Sequence, residues 1–311
     1  MAKLKSELHH WWPRCVSALW AAEDGTTGWI KPDGTCKRLP PHHLGVIRDG
    51  HHIKLGDQGA STYWDSSFED EFDAADSHFP AVVSWLEGLD RRVTTYPRFQ
   101  DRFVSQATGD EELRRLTECV VSLAVRSPMN REASVAAAEH IRGPLKNPER
   151  ERLIAMNMRN SQRLAADSIG ASAKFAVLFS RGREFVFGDG FFHNVTAVVN
   201  RPQAPTIVAP ITPHITVIIT RPIAYMVEPR LSTIVLNEAE VDVCNHAVQV
   251  YARNALYFRN DLPLVDEAFA RAEHLQYADP DNPVSELVRS IPGIPPRDSS
   301  LDFLFDTRRR K

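Results

Sequence analysis

The chain has 311 residues, 43% hydrophobic and 25% charged, with a formal net charge of −3. This composition excludes collagen, coiled coil and wholesale disorder, and the near balance of signs leaves no global field to steer the chain onto nucleic acid or an anionic membrane. Cys15, Cys36, Cys119 and Cys244 lie far apart with no CxxC pair, which fits neither a zinc clip nor a disulfide framework and suits a reducing, cytoplasmic setting. No apolar window approaches the ~20 residues of a membrane helix, so no membrane partner is expected.

Residues 9–55 are rich in Trp, Gly, Pro and His, with turn signals at Asp24-Gly25, Asp33-Gly34 and Asp49-Gly50. Their spacing suits a small β-meander, with one hairpin joining Trp29-Ile30 to Cys36–Leu39 before Pro40-Pro41 ends it. From Ser66 the period becomes helical. Ser66 and Glu69 form a capping-box pattern, Phe68, Phe72, Ala75, Phe79, Val82 and Leu86 share one face, and Pro80 is expected to kink or split the helix. A second helix is predicted over 110–126, stopped by Ser127-Pro128, and a third over 131–141. A fourth begins with Asn147 capping Pro148 and ends at Gly170.

Beyond Gly170 the pattern turns to strands at 175–179, 184–187, 195–199, 206–209, 216–220, 224–227 and 233–236. Asn237 with Glu240 then caps a closing helix that carries Val241, Cys244, Val248, Tyr251 and Ala255. Helices and strands cluster instead of alternating, so the fold class is α+β: an N-terminal β-meander, a helical middle and a mostly antiparallel C-terminal sheet closed by a helix. The expected organisation is one domain over 1–260 (meander 1–62, helical part 63–170, sheet and closing helix 171–260). A helical extension follows over 261–289, then a mobile tail over 290–311 with a basic end and an apolar anchor at Leu301–Phe305, which is expected to dock on its own domain, in preference to a second copy or a partner.

Six of the twelve histidines form three pairs, His9-His10, His42-His43 and His51-His52. They are either one ring per pair at a metal site or partly exposed loop residues, because neighbours on a strand point to opposite faces. The acidic run Glu69, Asp70, Glu71, Asp73 and Asp76 is either a cation-holding or a solvated helical face. Arg126 and Arg131 flank a proline-stiffened turn and serve either an anionic ligand or structural ion pairs. Asp189, between Gly188 and Gly190, is either open to a ligand or a turn aspartate that satisfies backbone amides. No phosphate loop, nucleophile elbow, HExxH helix or Rossmann fingerprint is present.

The order of these landmarks resembles the bacterial domain of unknown function 4238 family over about residues 9–258. It begins with His10-Trp11-Trp12-Pro13, Trp20, Asp24-Gly25 and Gly45-Val46-Ile47-Arg48-Asp49. It continues through the Glu69/Glu71 helix, Arg126-x-Pro128-x-x-Arg131, the Asp189 loop, Ile211-Thr212-Pro213 and Asn237. The sequence departs from the family pattern at Gly188-Asp189-Gly190-Phe191, where Ser-Asp-Asn-Pro is usual, and at Ser17, where a leucine is usual. The resemblance implies a set of landmarks and no reaction.

Two functions follow as expectations. The first is a site for a phosphate-containing ligand, nucleotide or nucleic acid, of hydrolase type if catalytic. In it His10 is acid or base, Asp189 is base, metal ligand or histidine orienter, and Arg126 and Arg131 bind the anion. No metal is assigned and no cofactor is specified. The second is a non-catalytic interaction or scaffold protein whose 290–311 tail contacts a second copy or another partner.

Overall fold

Aspartate turns organise the first fifty residues of the computed structural model, which describes residues 8–53, 66–170, 173–195, 205–222, 224–271 and 284–295. Asp24 Oδ1 accepts from Thr26 N and Asp33 Oδ1 from Thr35 N, each at 2.9 Å. Gly25 and Gly34 take the positive φ that follows such a turn. The strands so delimited are β1 (Leu8–His10), β2 (Thr27–Ile30), β3 (Cys36–Leu39), β4 (Val46–Arg48) and β5 (His52–Ile53), with the short helix α1 (Arg14–Ser17) after β1. The β2–β3 hairpin forms as expected, but the strands are shared among sheets: β1 pairs with β4, and β5 pairs with β6 (Ser66–Ser67).

Ser66 therefore sits in a strand pair and does not cap a helix. A 3-10 turn, Glu69–Phe72, leads into α2 (Asp73–Glu87), which buries Ala75, Phe79, Val82 and Leu86. Pro80 leaves α2 unbroken. Its missing N–H frees the Asp76 carbonyl four residues earlier, and the Cys15 thiol donates to that oxygen at 3.7 Å. The Cys119 thiol donates to the neighbouring Ala75 carbonyl at 3.4 Å.

After β7 (Val104–Gln106) come α3 (Asp110–Arg126), α4 (Pro128–Arg142) and α5 (Asn147–Ile169). Helix α3 is buried on every side from Val120 to Arg126 and packs against α2, α4 and α5, so it forms the axis of the helical layer. Ser127 Oγ accepts from Asn130 N at 3.2 Å, capping α4 beside Pro128.

The remaining strands are β8 (Lys174–Ser180), β9 (Phe187–Gly188), β10 (Thr206–Thr212), β11 (Ile215–Thr220), β12 (Leu231–Leu236) and β13 (Leu256–Phe258). Four of these and β7 form a sheet in the order β10-β11-β8-β12-β7, antiparallel except for β12 beside β8. Strands β8, β11 and β12 are buried along their whole length, which accounts for their unbroken apolar runs. Residues 224–227 form no strand, and of the expected 184–187 strand only Phe187 pairs, in β9. Helix α6 (Glu238–Gln249) carries the expected capping box, with Asn237 Oδ1 accepting from Glu240 N at 3.0 Å and Glu240 Oε2 from Asn237 N at 2.8 Å. Two short helices, α7 (Glu267–Ala270) and α8 (Val284–Arg289), follow. The expected strand beyond Val195 and the Leu301–Phe305 anchor lie outside the described residues.

The second sheet, β3-β2-β13-β9, joins the N-terminal hairpin to strands from the later half of the chain and positions the candidate site. No helix among the described residues is long and apolar enough to cross a membrane.

Candidate functional site

The His10-Trp11-Trp12-Pro13 segment is fixed by aromatic packing on the second sheet. The Trp12 ring stacks on Phe187 of β9 with centroids 4.5 Å apart and an interplanar angle of 6°, and lies 4.8 Å from Tyr257 of β13. Gly45 makes the approach possible: it has φ +64°, and a Cβ there would sit 2.4 Å from Trp12 Cβ. Its carbonyl accepts from the Trp11 and Trp12 amides. Strand alternation then sends His9 inward and leaves His10 partly exposed.

The inward side holds a histidine cluster. His9 lies 5.0 Å from His51 and 4.3 Å from His52 between ring centroids, and all three are buried. Strand geometry led us to expect at most one ring from each pair. His51 and His52 both contribute, because His51 lies in the turn before β5 and so escapes the alternation. The His51 amide donates to His9 Nδ1 at 3.4 Å, leaving Nε2, 3.5 Å from Glu69 Oε2, as the N–H of a neutral His9 ring. Burial, with Arg126, His9 and Arg131 nearby, lowers the His51 pKa to about 2. Among the described residues no three His, Cys, Asp or Glu side chains are placed to hold a metal ion.

Arg126 and Arg131 border this cluster, each held by protein partners. Arg126 makes a bidentate pair with Asp76, Nη1 to Oδ2 at 3.1 Å and Nη2 to Oδ1 at 2.5 Å, and lies 4.7 Å from the Phe72 ring centroid. Arg131 donates to the Gly50 carbonyl at 2.7 Å and to Glu151 Oε2 at 2.9 Å. Glu71 of the acidic run likewise receives Arg159 and Arg163.

Asp189 is buried next to the Arg126–Arg131 turn, and its carbonyl accepts from Met129 N at 3.4 Å. Its carboxylate takes the amides of Arg253 (2.7 Å) and Asn254 (2.9 Å) and the Asn254 side-chain Nδ2 (2.8 Å). Burial raises its pKa against the opposing pull of these donors. The carboxylate thus fastens the turn between α6 and β13. A Cβ at Gly190 would sit 2.2 Å from the Tyr251 carbonyl and 2.9 Å from Met129 Cβ, so glycine is what lets the loop close against α4.

The outward side has a different character. Arg14 Nε donates to His10 Nε2 at 3.0 Å, and His42, from the 3-10 turn Pro41–His43, lies near enough to disfavour charge on His10. Partial burial, then Arg14 and His42, lowers the His10 pKa. His42 and His43 are exposed, with ring centroids 4.1 Å apart. Among the described residues no carboxylate lies within ion-pair distance of Arg14. Arg14 was not a sequence candidate, although its place four residues after His10, across Pro13, was visible. The neighbourhoods of His10, Arg126, Arg131 and Asp189 thus meet around one corner, while the four side chains turn to separate partners.

Sequence reading also missed Glu184, a buried carboxylate that receives Arg259 Nε at 2.7 Å and Asn260 N at 2.8 Å. Arg259 Nη2 meets His214 Nε2 at 2.7 Å, so that nitrogen is the acceptor and the ring is neutral. Neither residue stands in a motif; only the fold brings them together. Compared with protein-family models, curated proteins and solved structures, the chain finds no match.

Proposed function

We propose that the chain binds a phosphate-containing ligand, a nucleotide or a nucleic-acid strand, at the outward corner of His10, Arg14 and His42. A hydrolytic step there would use His10 as its base only once ligand binding draws Arg14 away and frees the Nε2 lone pair that now accepts from it. The hydrogen bond from Arg14 to His10 carries this reading. It keeps the imidazole neutral and spends only one of the five guanidinium N–H donors, so the Nη edge can take two phosphate oxygens. Arg126, Arg131 and Asp189 act behind this surface by holding the turns on which it rests. Membership of the 4238 family belongs to the same proposal, supported by the order of its landmarks along the chain.

Titration with inorganic phosphate and with a mononucleotide, followed through the His10 ring protons by NMR, tests the proposal. Phosphate should raise the His10 pKa, and Arg14→Gln, an exposed change, should weaken binding by about tenfold or more, the worth of one charge-assisted hydrogen bond. Equal affinity in the variant, or ring shifts spread over all histidines, would overturn the assignment.

A further inference from the structure

A groove of about 320 Å3 opens between the 3-10 turn Phe99–Arg102, the end of β12, α6 and α8. Leu236 and Cys244 are its buried base, Phe99 and Leu287 are half-buried beside it, and Val243 is 49% exposed at its edge. The volume lies at the lower end of ligand pockets, roughly 300–1,000 Å3. Two acids stand at the rim. Glu240 shares its carboxylate with Arg102, while Glu286 is exposed and has no basic group within ion-pair distance among the described residues.

We propose that this groove is the docking site of the chain's own Leu301–Phe305 segment, held in cis. Three observations favour that occupant over a second copy or a foreign ligand. Ser290 lines the groove, and from there the chain passes Gly293, whose carbonyl accepts from Met226 N, before the described residues end at Pro295. From Pro295 to Leu301 the chain can span at most about 20 Å, at ~3.5 Å per residue, and so short a tether gives an effective concentration on the order of millimolar. Leu301, Phe303, Leu304 and Phe305 match the apolar base, and Arg308, Arg309, Arg310 and Lys311 supply the charge that the exposed Glu286 lacks.

Disulfide trapping in the full chain decides the matter. In a Cys36→Ser background, Val243→Cys is combined in turn with cysteine at Leu301, Phe303, Leu304 and Phe305, and the protein is oxidised gently with diamide. At least one pair should give an intramolecular disulfide, mapped by mass spectrometry, whose rate is unchanged on about tenfold dilution. Adding Leu287→Arg, which intrudes on the groove, should slow it by about tenfold or more. Far-UV circular dichroism checks that each variant is folded. Disulfides that are only intermolecular and fade on dilution would assign the groove to a second copy and overturn the proposal. So would the absence of any disulfide at all four positions in folded protein.

Discussion

Acidification from about pH 7.5 to about pH 4.5 should destabilise this protein by roughly 5 kcal/mol through two buried histidines alone. His51 and His193 are almost fully buried, and burial lowers their pKa values to about 2 and about 3, respectively. In the unfolded chain each titrates near the ordinary value of about 6.5. Below that pH the unfolded state gains protons that the native state refuses, so stability is complete above about 6.5 and falls as the pH drops. Two pH units at about 1.36 kcal/mol per unit give about 2.7 kcal/mol for each ring. Because pH 4.5 lies above both native values, the figure does not depend on how far they are lowered. It is comparable to the whole stability of a marginal domain, about 5–15 kcal/mol. The assay is denaturant unfolding at both pH values for the native chain and for His51→Gln. The variant should lose about 2.7 kcal/mol less on acidification, whatever its stability at neutral pH. Parallel losses in the two proteins would refute the argument that His51 is held neutral by its surroundings.

Two further outcomes concern the loop beside the candidate corner. Asp189→Asn sets an amide against the donors of Arg253 and Asn254 and should cost about 2–4 kcal/mol in denaturant unfolding. Gly190→Ala forces a methyl group into the Tyr251 carbonyl and Met129, and should cost about 1–3 kcal/mol or more, read from the same midpoints.

Local chemistry made much of the helical layer legible. The stripe of Leu113, Leu116, Val120 and Leu123 with a Ser127-Pro128 stop gives α3 with both ends correct, and the Asn237/Glu240 box locates the start of α6. Pro80 misled because its cost depends on what receives the freed carbonyl, and that is a cysteine from a distant helix. The short strands misled for a related reason: their partners are remote, so the strand read over 184–187 pairs only where β13 lies beside it, at Phe187, and runs on to Gly188. At the site, residue type drew attention to His10, Arg126, Arg131 and Asp189 as candidates for a ligand, and the structure gives Arg126, Arg131 and Asp189 protein partners instead. Which of them face outward is set by strand alternation, by the Asp76 and Glu151 partners and by the turn over Asp189, none of which is written locally.

The pairing of β2 with β13 also imposes an order in time. β2 and β1 can pair early with β3 and β4, but Trp29 needs Tyr257 opposite it and the Trp12 ring needs Phe187 beneath it, and these emerge from the ribosome much later. Closing so long a loop is entropically slow and returns nothing until it is complete. These N-terminal strands are thus among the last to be completed, and the faces of Trp12 and Trp29 wait for Phe187 and Tyr257 in the meantime.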